Sequence, residues 1–146
     1  MTKVETPVVM TGVFVYTDSM KIKIDPADKA FSLYIRTRDD WQCQRCMKQF
    51  TPPTSGLHCS HFMGRGKEGT RFDPENADAL CYGCHMYFTA HPAEHYMWQV
   101  EKKTKQTVDL LVLRSNTYKK KDRKMERLVW NEALQDLIKQ RARASM

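Results

Sequence analysis

The chain has no apolar run long enough to cross a membrane, and nothing near Met1 reads as an export signal. A soluble, cytoplasmic protein with no membrane partner is therefore expected. Glycine and proline are scarce, six of each in 146 residues, and no internal repeat or low-complexity linker breaks the chain. One domain with a modest core is the expectation. Acid is also short: 17 Asp and Glu stand against 24 Lys and Arg, a net charge of +7. Such a balance favours polyanions, of which nucleic acid is the commonest, although a merely basic soluble protein has the same balance.

Cysteine is present, and in a pattern. Four of the five cysteines fall in two Cys-x-x-Cys pairs, Cys43 with Cys46 and Cys81 with Cys84. Such a turn puts two thiolates on one side of a tight loop, and two turns complete a tetrahedral zinc site. A four-thiolate site has no vacancy for substrate, so its work is to stabilise a core too small to hold alone. Cys59 is left as a buried free cysteine. Cys81, Cys84 and His85 also match the haem-attachment spacing, but haem would leave Cys43 and Cys46 unexplained.

Residues 8–16 are β-branched and aromatic and read as a strand, continued after a turn by the alternating residues 21–24. Asp25, Pro26 and Asp28 start a helix: an N-cap, a first-turn proline and an acid at the positive end. Ala27, Ala30, Phe31, Tyr34 and Ile35 recur at helical spacing and give it a core face. Residues 41–50 carry the first cysteine pair, and 51–56 form a loop. Residues 57–63 read as a strand, 64–70 as a Gly-rich basic loop, 71–73 as the return strand and 85–89 as the start of a helix. The middle of the chain thus reads β-β-α, pinned at its ends by zinc. Helices are expected over 92–103, 107–113 and 119–143. The last carries an apolar stripe of Met125, Leu128, Val129, Ala133, Leu137 and Ile138, which packs internally or pairs with a second copy as a homodimer. Between Tyr118 and Ala144 nine basic residues stand against four acidic ones. That excess is either a DNA-backbone contact or a solvated polar face.

His58 and His61 fall on the first of these strands, Asn76 precedes the second cysteine pair, and His85 follows it directly. The order of His61, Asn76 and His85 around paired cysteines resembles the HNH nucleases, a branch of the His-Me finger (ββα-metal) superfamily. Ser60, His61 and Phe62, then Arg65, then Arg71, Phe72, Asp73, Pro74 and Asn76, then Cys81, Cys84 and His85 resemble more particularly the phage NinG/Rap recombination-endonuclease group. That likeness covers about residues 41–91 and weakens in the helical tail. It implies an α+β fold with a zinc-stabilised ββα-metal core over 41–91, an N-terminal strand and helix over 1–40 and a basic helical tail over 92–146.

The resemblance also implies a function: metal-dependent hydrolysis of DNA phosphodiester bonds, on recombination or branched intermediates, in the host-cell cytoplasm. Such a reaction needs a base to activate water, a Lewis acid for the departing 3′-oxygen and cations against phosphate. By the same likeness His61 is the general base and His85 ligates a catalytic Mg²⁺ or Mn²⁺. Asn76 fixes the loop that orients His61 or touches the metal, and Arg65 and Arg71 grip phosphate with forked donors. Arg36, Lys67, Lys119, Lys120, Lys121 and Arg123 are further candidates for nucleic-acid contact. The chain departs from the family where many members have an Asp or His, because Ser60 stands there and is a poor ligand. His58 lies on the same strand face as Ser60 and is placed to substitute; Asp73 is another candidate. Thr89 stands one turn beyond His85, where a second helical ligand would project. His91 and His95 are expected at a helix start and an exposed face. The rival reading is a non-catalytic zinc module that binds DNA or RNA through its basic helices.

Overall fold

The computed structural model describes residues 23–145. The strand expected over 8–16 and the first half of the run 21–24 lie outside those residues; Lys23 and Ile24 are irregular. The first element is helix α1, Pro26–Arg38. Its start follows from local chemistry: the Asp25 carboxylate accepts from the Ala27 N–H at 2.8 Å, and Pro26 takes the first position. Ala27, Ala30, Phe31 and Ile35 are buried, as their spacing requires. Asp28 is buried too, and its partners lie far along the chain.

Two strands follow, β1 Leu57–His61 and β2 Ala77–Cys81, paired antiparallel with His61 opposite Ala77 and Leu57 opposite Cys81. Helix α2, Tyr82–Ala90, leaves β2 without a connector because Cys81 both ends the strand and caps the helix. The return strand is therefore 77–81 and not 71–73. Residues 71–73, expected as that strand, form a turn instead, because Asp73 and Pro74 repeat the start signal of α1: the Asp73 side chain accepts from Glu75 N at 3.0 Å and opens a 3-10 turn, Pro74–Asn76. The second cysteine pair likewise sits at the start of α2 rather than before it.

Helices α3, Pro92–Lys103, and α4, Lys105–Ser115, pack on one another. Helix α5, Arg123–Ala144, runs along α1. It begins later than residue 119 because Asp122 caps it, accepting from Met125 N at 3.1 Å. Lys119, Lys120 and Lys121 therefore lie in the connector. The buried face of α5 is Trp130 and Leu134 with Ala133 beside them. Met125, Leu128, Val129 and Ile138 are exposed, which corrects the expected stripe. The Trp130 ring decides the rotation: it meets Phe31 edge-on at 4.9 Å and donates from Nε1 to Glu126 at 3.1 Å.

Two small cores result. Ala27, Ala30, Phe31, Ile35, Phe72, Ala77 and Trp130 form one between α1, α5 and the hairpin. Cys43, Leu57, Ala79, Leu80, Cys84 and Phe88 form the other, flanked by Trp41, Phe50 and Trp98. No helix among the described residues is long and apolar enough to cross a membrane.

Candidate functional site

The second core is built around sulfur. The ligand atoms of Cys43, Cys46, Cys81 and Cys84 all lie within 4.8 Å of one another. The Cys46 and Cys81 Sγ atoms are 3.7 Å apart. Four thiolates at the zinc–sulfur distance of about 2.3 Å stand about 3.8 Å apart along a tetrahedral edge, so the cluster fits zinc. The two turns are alike: Cys46 N donates to Cys43 Sγ at 3.5 Å and Cys84 N to Cys81 Sγ at 3.4 Å. Arg45 donates to Cys84 Sγ at 3.5 Å and lies over the Tyr87 ring. Burial pushes the Cys84 thiol up to about 12, so a metal binding there would have to displace its proton.

Directly after Cys84, His85 leaves α2 toward β1. Its Nδ1 stands 2.9 Å from Nδ1 of His58, with the rings near perpendicular at 82°. Burial and then the neighbouring His58 lower the affinity of His85 for a proton. Two nitrogens each about 2.1 Å from one ion stand about 3 Å apart when adjacent in an octahedron, so the pair also fits a divalent cation. Among the described residues no carboxylate joins them.

His61 ends β1 and lies near Phe31, with ring centroids 5.7 Å apart. Burial pushes its ring down to about 4. Its Nε2 meets the Arg71 carbonyl oxygen at 3.0 Å. A carbonyl only accepts, so Nε2 carries the ring proton and Nδ1 of the neutral ring keeps its lone pair. His61 and His85 together line a cavity of about 630 Å³, with His58, Cys59, Asp28 and Arg65 on its walls. Both also line an adjoining cavity of about 230 Å³, shared with Ser60, Thr89 and His95. The larger space lies within the roughly 300–1,000 Å³ that usually holds a small ligand.

The loop between β1 and β2 is fastened by Asn76, which has no exposed surface. Its Nδ2 donates to the carbonyls of Met63 at 2.8 Å and Thr70 at 3.0 Å, and its Oδ1 accepts from Met63 N at 2.7 Å. Both ends of the side chain are thus committed to backbone. Of the two roles expected for Asn76, the geometry matches loop fixing, because nothing of it remains to touch a metal.

The basic residues divide sharply. Arg65 is 54% exposed on the cavity rim and stands 3.8 Å from Asp28. The Arg71 fork is taken by Asp28 and Glu68, so Arg71 is not free to grip phosphate. Arg123 is closed on Glu68, with Nη1 at 2.9 Å. Arg36 is half-buried, donates to Ser32 and Thr54 carbonyls and covers Trp41. Lys67, Lys119 and Lys120 are exposed, and Lys121 is partly so. Ser60 is buried beside the cavity, and Asp73 is held by Arg114, which removes it as a metal ligand. Cys59 is half-buried on the cavity wall, where burial pushes its thiol up to about 12. His91 starts α3 as expected, but His95 is buried, stacked flat on Phe88 at 4.4 Å. Three acids are buried, Asp28, Glu68 and Asp78: the sequence marks Asp28 only as a first-turn acid of α1, and Glu68 and Asp78 lie in no motif.

No family model, no curated protein and no solved structure matches the chain.

Proposed function

We propose that this protein is a divalent-metal-dependent DNA endonuclease of the HNH type, with a zinc-stabilised ββα core. One observation carries the reading: a histidine whose proton is fixed on Nε2 shares a cavity with a pair of histidine nitrogens 2.9 Å apart. A buried, neutral imidazole with a bare Nδ1 accepts a proton from water as that water attacks phosphorus. His58 and His85 would hold the cation, which would supply the Lewis acid for the departing 3′-oxygen. Two imidazoles without a carboxylate suit Mn²⁺ or another transition ion ahead of Mg²⁺. Arg65, the one expected phosphate-gripping arginine on the cavity rim, offers its forked donors to the backbone. The net charge of +7 supports the polyanion. Recombination or branched DNA as the substrate, a phage origin and a homodimer rest on the family likeness and on the exposed apolar side of α5.

A cleavage panel of duplex, nicked, flap and four-way DNA with Mg²⁺, Mn²⁺ and EDTA tests it. Cutting that needs the ion, and that falls roughly 10²–10⁴-fold in His61→Ala with zinc content intact, is expected. The missing acidic ligand beside the histidine pair favours a second reading, a non-catalytic nucleic-acid-binding module. Salt-sensitive binding with no cutting under any ion would establish that reading instead.

A further inference from the structure

The back wall of the smaller cavity contains a histidine that the mechanism above does not use. His95 rises from α3 between two aromatic rings, flat on Phe88 and edge-on to Phe62 at 5.0 Å. Behind it lies a sealed polar chain. Asp78 is 1% exposed, and it accepts from Lys102 at 2.9 Å, Lys103 at 3.1 Å and Gln99 Nε2 at 2.8 Å. Burial alone would raise the Asp78 carboxyl, but Lys103 and Lys102 outweigh it and keep the group ionised. An ionised carboxylate only accepts, so the Gln99 atom facing it must be the amide nitrogen. Gln99 is fully buried, and that same nitrogen is 3.3 Å from His95 Nε2. Its second N–H therefore points at the ring, and Nε2 must accept. The ring proton is left on Nδ1, the nitrogen without a protein partner among the described residues.

We infer that His95 is a substrate-binding residue whose Nδ1–H donates to a phosphate oxygen in the cavity shared with His61 and His85. Its ligand is a phosphate or phosphodiester anion. A protonated Nδ1 cannot ligate a metal, so His95 complements the His58–His85 pair and does not extend it. The tautomer is opposite to that of His61, whose proton sits on Nε2. One ring is thus arranged to receive a proton and the other to offer a hydrogen bond, and the reason in both cases is a fixed neighbour. The Gln99 Oε1 atom, buried without a partner, is the cost of this arrangement, because the amide cannot turn without setting oxygen against Asp78. The assignment of substrate rests on the nuclease reading, whereas the tautomer and the anion site do not.

Two measurements test it. Nitrogen-detected NMR of the zinc-loaded full chain should show His95 neutral with its proton on Nδ1. Inorganic phosphate should shift that resonance, and Gln99→Met should abolish the tautomer preference. Cleavage of bis(p-nitrophenyl) phosphate by His95→Phe, which keeps the stacking on Phe88, should show kcat/KM lowered about 10- to 100-fold, as for a lost hydrogen bond to a charged acceptor. Zinc content and circular dichroism establish that the variant is folded, and Gln99→Met supplies a second route should it not be. An Nε2-protonated ring, or a His95 resonance indifferent to phosphate, would overturn the proposal. So would a folded His95→Phe as active as the parent. If the wild-type chain cuts nothing but phosphate still moves His95, the nuclease reading fails and the anion site stands.

Discussion

Asn76 illustrates how much one side chain can hold. Its amide fastens Met63 and Thr70, and the next carbonyl after Thr70 is that of Arg71, which fixes the His61 ring. Asn76→Ala removes three hydrogen bonds from a site with no access to water and should cost about 2–4 kcal/mol, read from urea unfolding. It should also blur the His61 tautomer in NMR, which a purely local packing loss would not do. The buried histidines set an acid limit. Burial pushes both His61 and His95 down to about 4, whereas in the unfolded chain they titrate near 6.5. Between those values the unfolded chain binds more protons, so stability rises with pH there. The stability present above about pH 6.5 should therefore be lost as pH falls toward 4. Urea midpoints at pH 7 and pH 5 measure the loss, and His61→Phe or His95→Phe should flatten it.

Among the elements, the hairpin and α2 depend on sulfur more than on strand propensity. Ala77, Asp78 and Ala79 are poor strand formers, and the hairpin is only five residues long on each side. If the quartet holds zinc, Cys81→Ser or Cys43→Ser should lower the zinc content of the purified chain and the protection of β2 amides. Packing is close at Gly69, where a Cβ would come within 2.6 Å of the Thr117 carbonyl oxygen and closer still to that of Arg114. Gly69→Ala should cost about 1–3 kcal/mol in unfolding free energy. Much of this scale could be read from residue order. The cysteine spacing located the sulfur cluster, and Asp25 with Pro26 located α1. Asp73 with Pro74 carries the same signal, and it ends the segment 71–73 in a turn before any strand can form. The rotation of α5 was misjudged because one Trp130 outweighs several smaller apolar groups, and only the partner helix shows which side it faces. His95 was unreadable for a similar reason. Its neighbours Phe62, Phe88 and Asp78 come from the loop after β1, from α2 and from β2, and a helical spacing says nothing of them.

For the molecule as a whole, several of the described charges are spent on internal ion pairs. Glu68 receives Arg71 and Arg123 along with the Lys121 N–H, and the Arg123 fork above all holds its carboxyl down to about 2. With the folded value near 2 and the unfolded near 4.5, its contribution is present above pH 4.5 and fades as pH falls toward 2. Glu68 thereby joins α5, α1 through Arg71 and Asp28, and the loop that carries the carbonyl on His61. Glu68→Gln should loosen α5 and lower the unfolding midpoint at pH 7, with most of the difference gone by pH 2. Of the basic residues expected to meet nucleic acid, Arg65, Lys67, Lys119 and Lys120 are exposed. Replacing two of these by Ala should lower the salt slope of DNA binding by about 2, whereas Arg123→Ala should act chiefly through stability.

Cys81 closes the last rung of β2 and opens the first turn of α2, and His85 projects from that same turn. The exposed member of the sulfur quartet, Cys46, stands in contact range of Cys81. Peroxide that turns the Cys46 thiol into a sulfenic acid would thus leave it within reach of the Cys81 thiol, whose attack expels water and closes a Cys46–Cys81 disulfide at the helix start, four residues from His85. A thiol reductant would reopen that disulfide and return both sulfurs to a quartet that could hold a metal.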